Sequence, residues 1–126
     1  MNIYHVTSRQ AWLEAQRRGA YSAESLQSEG FIHCSTRAQV LHVARRFYPG
    51  RRGLVLLVID PAKLHSELKW ELSVPPEGVA PGARFPHVYG QIGLEAVVHC
   101  LDFEPNRAGD FELPRLPSEE QDPGHV

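Results

Sequence analysis

The sequence lacks the features of several specialised protein classes. No apolar run approaches the roughly 20 residues of a membrane-spanning helix, since the longest, Leu54–Ile59, is only as long as a strand. The N-terminus has no basic segment followed by an apolar one, which a secretory signal would need. The two cysteines, Cys34 and Cys100, lie far apart among apolar neighbours. We therefore expect a cytoplasmic protein with reduced thiols and no membrane partner.

Motifs that bind phosphate or metal in other proteins are also missing. The chain has neither the G-x-G-x-x-G loop of dinucleotide-binding folds nor a P-loop. It contains no H-x-x-x-H, H-E-x-x-H or C-x-x-C spacing. His33 and Cys34 are neighbours in a predicted strand, so their side chains point to opposite faces and should not share one ion. We expect no metal, and a histidine-based metal hydrolase is the alternative that metal analysis would test.

What is present suits one small globular domain. The 126 residues are 42% apolar and 22% charged, with a net charge of −2 that gives no general attraction to nucleic acid or membrane. Residues 1–104 form the predicted domain. Residues 105–126 form an acidic, proline-rich C-terminal tail that we expect to be partly disordered, with Phe111, Leu113 and Leu116 able to dock its first part.

The order of predicted elements indicates an α+β fold. Strands are predicted over 2–6, 30–35, 53–60, 67–72 and 95–103, with the continuous apolar run of the third buried on both faces. Two main helices are predicted. Thr7 or Ser8 caps the first, which has Trp12 and Leu13 on its apolar face and ends at Gly19; Ser35 or Thr36 caps the second. A proline-rich loop is predicted over 73–86, after the fourth strand. The consecutive late strands favour a mixed or antiparallel sheet.

Three histidines at predicted strand ends are the first candidates for chemistry. His5 precedes Thr7 and Ser8, His33 precedes Ser35, and His87 leaves the proline-rich loop. Imidazole donates or accepts hydrogen bonds at neutral pH, so it can orient a ribose hydroxyl, a phosphate or a carbonyl. The alternative for each is a half-buried strand histidine with one satisfied hydrogen bond.

Other candidates have strong structural alternatives. Glu71 is the acidic residue best placed near a cleft, where it could act as a base or stabilise a cation; we favour a solvated glutamate paired with Lys69 or an arginine. Cys34 is favoured as an inert core thiol over a nucleophile. The arginines at 45, 46, 51 and 52 are favoured as a solvated surface, with a nucleic acid or other phosphate-rich partner as the weaker hypothesis.

Several unusual strings then occur together and in order. They include YHVTS (4–8), EGFIHCST (29–36), LLVID (56–60) and FPHVYG (85–90). In these the chain resembles the bacterial domain-of-unknown-function 952 family (DUF952) over about residues 3–102. That resemblance implies the ADP-ribosyltransferase fold, a split mixed or antiparallel sheet shared with poly-ADP-ribose polymerases and RNA 2′-phosphotransferases.

The resemblance also implies roles for residues in the first two motifs. By match, His5, Thr7 and Ser8 take the place of the residues that hold the nicotinamide-side ribose and the carboxamide of NAD. His33 and Ser35 correspond to the second motif.

The third motif departs from the pattern of the implied fold. His87 stands where a glutamate is common, with Tyr89 beside it, and Glu71 is the second candidate for the charge-stabilising role.

The implied function is that of an ADP-ribosyltransferase-like protein. It would bind NAD, as a substrate, or a related nucleotide in a histidine-lined cleft, and transfer ADP-ribose or carry out related phosphotransfer chemistry. The alternative is a non-catalytic module of the same fold that binds a nucleotide or a partner. The acceptor is left open.

Overall fold

Eight strands and three α-helices make up the residues described by the computed structural model, 1–72 and 82–116. The strands are β1 (Ile3–Ser8), β2 (Ala20–Tyr21), β3 (Ile32–His33), β4 (Leu54–Ile59), β5 (Glu67–Leu72), β6 (Arg84–Tyr89), β7 (Ile92–Gly93) and β8 (Val97–Asp102). The helices are α1 (Arg9–Arg18), α2 (Glu24–Ser28) and α3 (Val40–Phe47), and single 3-10 turns occur at Pro61–Lys63 and Leu94–Ala96.

The strands form two three-stranded antiparallel sheets and a short ribbon. Their orders are β1-β4-β8, β3-β6-β5 and β2-β7. A single bridge joins the two larger sheets: Tyr4 N donates to Ser35 O at 2.8 Å, and Ser35 N donates to Tyr4 O at 2.7 Å. The predicted α+β class with antiparallel pairing is therefore confirmed.

Strand β4 lies at the centre of the hydrophobic core. All six of its residues are buried, which confirms the prediction from its continuous apolar run. Residues that alternate along the strand pack into different clusters. We call the first the α1-side core, which contains Val55, Leu57 and Ile59 of β4. We call the second the α3-side core, which contains Leu54, Leu56 and Val58 of β4.

Helix α1 begins and ends as its sequence predicts. Ser8 is the N-cap and its hydroxyl accepts from Ala11 N at 3.0 Å. Gly19 ends the helix with φ of 89°, a left-handed conformation that glycine adopts without penalty. The predicted apolar face is wrong in one position, because Leu13 is 56% exposed while Trp12 packs against the core.

The prediction of two helices and their caps needs correction. A third helix, α2, forms in a polar segment whose five residues are too few to display a helical period. Helix α3 starts later than predicted, with Gln39 rather than Ser35 or Thr36 as N-cap. The intervening turn is stabilised because Gln39 Oε1 accepts from Thr36 N at 2.9 Å.

The predicted strand boundaries also change, for reasons in the chain itself. Cys34 N donates to Pro86 O at 3.0 Å, but Pro86 has no N–H to return, so β3 stops at His33 rather than at residue 35. Pro86 itself lies within β6, not in a loop extending to residue 86. The last strand begins at Val97 after a 3-10 turn, not at residue 95.

The first part of the C-terminal segment packs on the domain. Phe111 is fully buried and stacks on Phe103 with ring centroids 5.0 Å apart. Leu113 and Leu116 are partly buried against the α3-side core, as predicted. Residues 73–81 of the proline-rich loop and residues 117–126 lie outside the described part of the chain. Within the described part, no helix has the length and apolar character needed to span a membrane.

Candidate functional site

A cleft of about 820 Å³ opens between the outer face of the β3-β6-β5 sheet and helix α3. Strand β1 and the segment before β3 complete its walls. The polar wall results from the register of the sheet. His87 on β6 pairs with His33 on one side and with Lys69 on the other. Glu71 lies two residues beyond Lys69 along β5 and therefore on the same face. The titratable side chains that line the cleft are His5, Glu29, His33, Glu71, His87 and Tyr89.

Glu71 anchors the polar group on this wall. Its Oε1 accepts from His87 Nδ1 at 2.9 Å and from the Tyr89 hydroxyl at 2.5 Å. The bond from Tyr89, followed by that from His87, lowers the pKa of Glu71 below its ordinary value, so the carboxylate is ionised at neutral pH. The expected pairing of Glu71 with Lys69 or an arginine is wrong, since its hydrogen-bond partners are His87 and Tyr89 on the neighbouring strand β6.

His87 lines the cleft, and one of its ring nitrogens has no hydrogen-bond partner among the described residues. The residue is 2% exposed, and Nδ1 is held by Glu71. Its other nitrogen, Nε2, is buried and has no hydrogen-bond partner among the described residues. A buried polar atom without a partner is uncommon, and at a cleft wall it is a candidate ligand contact.

Phe31 covers the polar group from one side. Its ring stacks on His87 at 4.1 Å between centroids and 19° between planes. It also lies 4.8 Å from the ring of His33 and 5.3 Å from that of Tyr89. These four rings form an aromatic cluster along one wall. Such a surface can stack on a planar ligand ring.

His33 and Ser35 both line the cleft but make different contacts. His33 Nε2 donates to Glu29 Oε2 at 3.1 Å. Ser35 lines the cleft, while its backbone makes the bridge to β1. Cys34 points the other way into the α1-side core, where burial raises the pKa of its thiol. The predicted opposition of His33 and Cys34 and the position of the thiol in the core are both confirmed.

His5 lines the cleft with both ring nitrogens engaged inside the protein. Its Nδ1 lies 2.6 Å from His33 O, and its Nε2 lies 2.7 Å from Tyr21 Oη. Burial is the main cause that lowers the pKa of His5 to about 4, so the ring is neutral at pH 7. His5 therefore ties β1 to β3 and to β2.

These contacts fix where the protons lie. A carbonyl oxygen only accepts, so Nδ1 of the neutral His5 ring carries the hydrogen and Nε2 accepts from the Tyr21 hydroxyl. Tyr21 Oη also lies 2.9 Å from Thr7 Oγ1. Since the Tyr21 proton goes to His5, we assign Thr7 as donor in this third contact. The predicted ligand contact at Thr7 is instead part of a buried network.

Ser8 also lies apart from the cleft lining. Its hydroxyl caps α1, and its backbone pairs with Leu54 at the end of β1. The structure therefore brings His5, His33, Ser35, His87, Glu71 and Tyr89 to the cleft, while Thr7 lies behind His5 and Ser8 lies at the helix start.

The charged side chains that line the cleft are acidic. They are Glu29 and Glu71, and neither lysine nor arginine lines the described part of its wall. Arg46 lies over the ring of Phe47 at 5.6 Å and Arg51 lies over that of Tyr48 at 5.5 Å. Both of those rings line the cleft. These two arginines lie on the α3 side of the cleft, and on the polar wall Lys69 Nζ lies over the ring of Tyr89 at 4.7 Å.

The arginine cluster is not uniformly free for a phosphate partner. Arg45 Nε donates to Asp110 Oδ1 at 2.7 Å and a second guanidinium nitrogen donates to Phe111 O at 3.2 Å. Arg45 thus binds the C-terminal segment.

A metal site is a separate question. Residues 1–72 and 82–116 contain no group of three or more histidine, cysteine, aspartate or glutamate side chains able to hold a metal ion.

Two contributors to the site were missed in the sequence. Phe31 lies two residues before His33, so strand alternation places it on the same face and could have revealed it. Glu29 lies four residues before His33 and carries no such signal. The contact between Glu71 and His87 depends on the β5–β6 register, which local sequence does not determine.

Comparisons with known proteins agree with this architecture. The sequence pattern of a family described as a protein of unknown function, DUF952, matches residues 6–100. The crystal structure of protein CC0527 from Caulobacter crescentus is 32% identical, with a TM-score of 0.78, and covers 90% of this chain and 95% of its own. The solution NMR structure of CC0527 gives 32% identity and a TM-score of 0.71, covering 86% and 90%. No curated protein matches.

The fold and the cleft thus define a small α+β protein with antiparallel sheets and a histidine-lined cleft. With the family pattern matching most of the chain and a relative of known structure above 30% identity, the chain belongs to the DUF952 family.

Proposed function

We propose that this protein is ADP-ribosyltransferase-like, binding NAD or a related nucleotide in the cleft and transferring its ADP-ribose. The observation that carries the proposal is an ionised carboxylate, Glu71, held at the wall of the cleft beside the aromatic faces of Phe31 and Tyr89. The resemblance of its motifs to the ADP-ribosyltransferase pattern supplies the substrate class.

Size and surface support a nucleotide ligand. A volume of about 820 Å³ lies within the roughly 300–1,000 Å³ typical of small-molecule sites. The face of Phe31 that His87 does not cover can stack on the nicotinamide ring. In oxidised NAD that ring carries a positive charge, which aromatic faces and nearby carboxylates stabilise. The acidic wall therefore suits the nicotinamide end.

The opposite wall suits the phosphates. Arg46 and Arg51 lie against rings that line the α3 side of the cleft. An NAD molecule with its ring near Glu71 and its pyrophosphate toward α3 would pair each charge with its opposite. This orientation is part of the proposal.

Glu71 has the chemistry that the transfer step requires. Breaking the bond between nicotinamide and ribose develops positive charge on the ribose, and a fixed carboxylate stabilises that charge. Both hydrogen bonds to Glu71 fall on Oε1, so Oε2 is available to a ligand. Tyr89 and His87 fix the orientation of the carboxylate in advance, which reduces the cost of reorganisation.

One observation favours the alternative of a non-catalytic nucleotide-binding module. His5, which the resemblance assigns to the ribose, already uses both ring nitrogens within the protein. It could bind a ribose hydroxyl only by giving up one of these bonds. In a binding module, His5 would serve solely to position His33.

Calorimetric titration with NAD, with ADP-ribose as the comparison ligand, tests binding. Saturable binding that weakens at least fivefold in Phe31→Ala would support the cleft. Release of nicotinamide by the wild type at saturating NAD, reduced at least 100-fold in Glu71→Gln at its own saturating NAD concentration, would support transfer. Binding without release would favour the non-catalytic module. The absence of binding at millimolar NAD would reject both.

A further inference from the structure

The ring of His87 is fixed by more contacts than its hydrogen bond to Glu71. The ring is buried, its plane is fixed by the stacked ring of Phe31, and its Nδ1 is fixed by Glu71. Its second nitrogen, Nε2, lacks a hydrogen-bond partner among the described residues and belongs to a cleft-lining side chain. Because an unsatisfied buried polar atom costs free energy, this nitrogen is suited to meet a polar group of a ligand.

The surrounding bonds determine what Nε2 can do. The Glu71 carboxylate only accepts, so Nδ1 of His87 carries a hydrogen. In the neutral ring, Nε2 then has a lone pair and no hydrogen. Tyr89 donates to the same carboxylate oxygen, so both contacts are made to the ionised form of Glu71 and His87 Nδ1 keeps its hydrogen. The arrangement of a carboxylate, an imidazole and an unpartnered Nε2 is that of an oriented general base.

We propose that His87 is the general base of this cleft and accepts the proton of a hydroxyl nucleophile, either water or an alcohol group of the acceptor. The electrophile rests on the proposed function, since it is the ribose carbon of NAD that bears nicotinamide. Glu71 acts on the base as a positioning residue, in addition to its proposed role near the ribose.

The step balances without a further reactant. The hydroxyl oxygen forms a bond to the ribose carbon, and the bond from that carbon to the nicotinamide nitrogen breaks. The electron pair of the broken bond stays on nicotinamide, which leaves as a neutral molecule. The hydroxyl proton passes to His87 Nε2 and then to solvent.

The proposal narrows the class of acceptor. A carboxylate acceptor is already ionised at neutral pH and has no proton for His87 to remove. Water or an alcohol becomes a competent nucleophile as its proton is removed. The cleft is therefore expected to hydrolyse NAD or to modify a hydroxyl group, rather than a carboxylate side chain.

The first test concerns the free protein and does not depend on NAD. Nitrogen-15 NMR of ring-labelled histidine, recorded across a pH titration, should show that the neutral ring of His87 carries hydrogen on Nδ1 and none on Nε2. Hydrogen on Nε2 in the neutral ring would overturn the proposal whatever NAD does.

The second test separates base chemistry from structure. His87→Asn retains a donor near the position of Nδ1, and His87→Gln places an uncharged amide near Nε2, so both keep hydrogen bonding but lack a base. Each should bind NAD within about threefold of wild type and release nicotinamide 10²- to 10⁴-fold more slowly, the usual range for losing a general base. His99→Gln, an exposed histidine on β8, is the matched control and should leave the rate unchanged.

Chemical rescue provides a readout that a purely structural role would not produce. In His87→Gly, added imidazole can occupy the space beside Phe31 and should restore part of the nicotinamide release, with acetate of equal ionic strength having no effect. Thermal unfolding of each variant identifies any that fails to fold. If His87→Gly fails, the rate of nicotinamide release by folded His87→Gln decides the proposal.

The outcomes distinguish the two proposals. Normal nicotinamide release by folded His87→Gln would overturn the general base and leave the proposed function intact. NAD binding without nicotinamide release by the wild type would overturn transfer and the general base together. Failure of NAD to bind a protein whose His87 has the predicted protonation would reject NAD as the ligand and support His87 Nε2 as an acceptor.

Discussion

At the scale of single residues, the burial of His5 couples folding to pH. Its folded-state pKa of about 4 lies below its ordinary value of 6.5. The unfolded chain therefore binds more protons between these two values, and the contribution of His5 to stability is complete above pH 6.5 and lost as pH falls toward 4. We expect the free energy of unfolding to decrease by about 3 kcal/mol from this group over that window.

Urea unfolding at several pH values between 4 and 7.5 measures this effect, and His5→Gln removes the titrating group. The difference in pH dependence between wild type and variant isolates His5 from carboxylates that titrate in the same range. Parallel pH profiles for the two proteins would mean that the His5 ring is protonated as readily in the folded state as in the unfolded chain.

Phe31 is expected to contribute to binding more than to folding. It is half-buried and belongs to neither core cluster, yet its ring contacts three rings of the cleft. Losing one stacking surface costs roughly 1–3 kcal/mol of ligand affinity. Phe31→Ala should weaken NAD binding about 5- to 150-fold, measured by calorimetry, with Phe31→Tyr as a control that keeps the ring. Unchanged affinity in Phe31→Ala would mean that the ligand does not use this wall.

Residue-level prediction from sequence succeeded where strand alternation governs the outcome. It placed His33 and Cys34 on opposite faces, because that relation follows from two adjacent residues of one strand. It did not anticipate that Thr7 and His5 share a buried network with Tyr21. That network joins residues far apart in sequence, and no local pattern encodes it.

At the scale of elements, the C-terminal segment is an integral part of the packing. Phe111 is fully buried against Phe103, whereas the ion pair of Arg45 with Asp110 is half-exposed. We expect Phe111→Ala to lower the free energy of unfolding by about 3–5 kcal/mol. Arg45→Ala should lower it much less, because exposed ion pairs contribute little.

Chemical denaturation of the two variants compares these contributions directly. Equal effects would indicate that the polar contacts, rather than the buried ring, hold the segment to the domain. A destabilisation by Phe111→Ala below 1 kcal/mol would mean that residues 105–116 detach in solution.

Elements with strong local signals were predictable, and those set by their neighbours were not. Helix α1 has both a serine cap and a terminal glycine, and β4 has a continuous apolar run. Strand β6 was missed because Pro86 argues against an interior strand. The structure tolerates this proline where it pairs with Cys34, and the lost hydrogen bond shortens β3. That a proline in β6 shortens β3 can be deduced only once the pairing of the two strands is known.

At the scale of the whole molecule, β4 is shared by two cores. Its side chains alternate between the α1-side core and the α3-side core, and it pairs with both β1 and β8. Since one backbone carries both sets of contacts, loss of one core disturbs the strand that supports the other. The bridge from Tyr4 to Ser35 extends this coupling to the sheet that forms the cleft wall.

This sharing predicts a single cooperative unfolding transition. Trp12 packs against the α1-side core, so in a Trp70→Phe background its fluorescence reports that side alone, because the chain has two tryptophans. Leu56→Ala, in the α3-side core, should cost about 2–5 kcal/mol. Because the cores unfold together, Trp12 fluorescence and far-ultraviolet circular dichroism should shift by the same amount in denaturant. A Leu56→Ala transition seen by circular dichroism but not by Trp12 would instead show two independently folding cores.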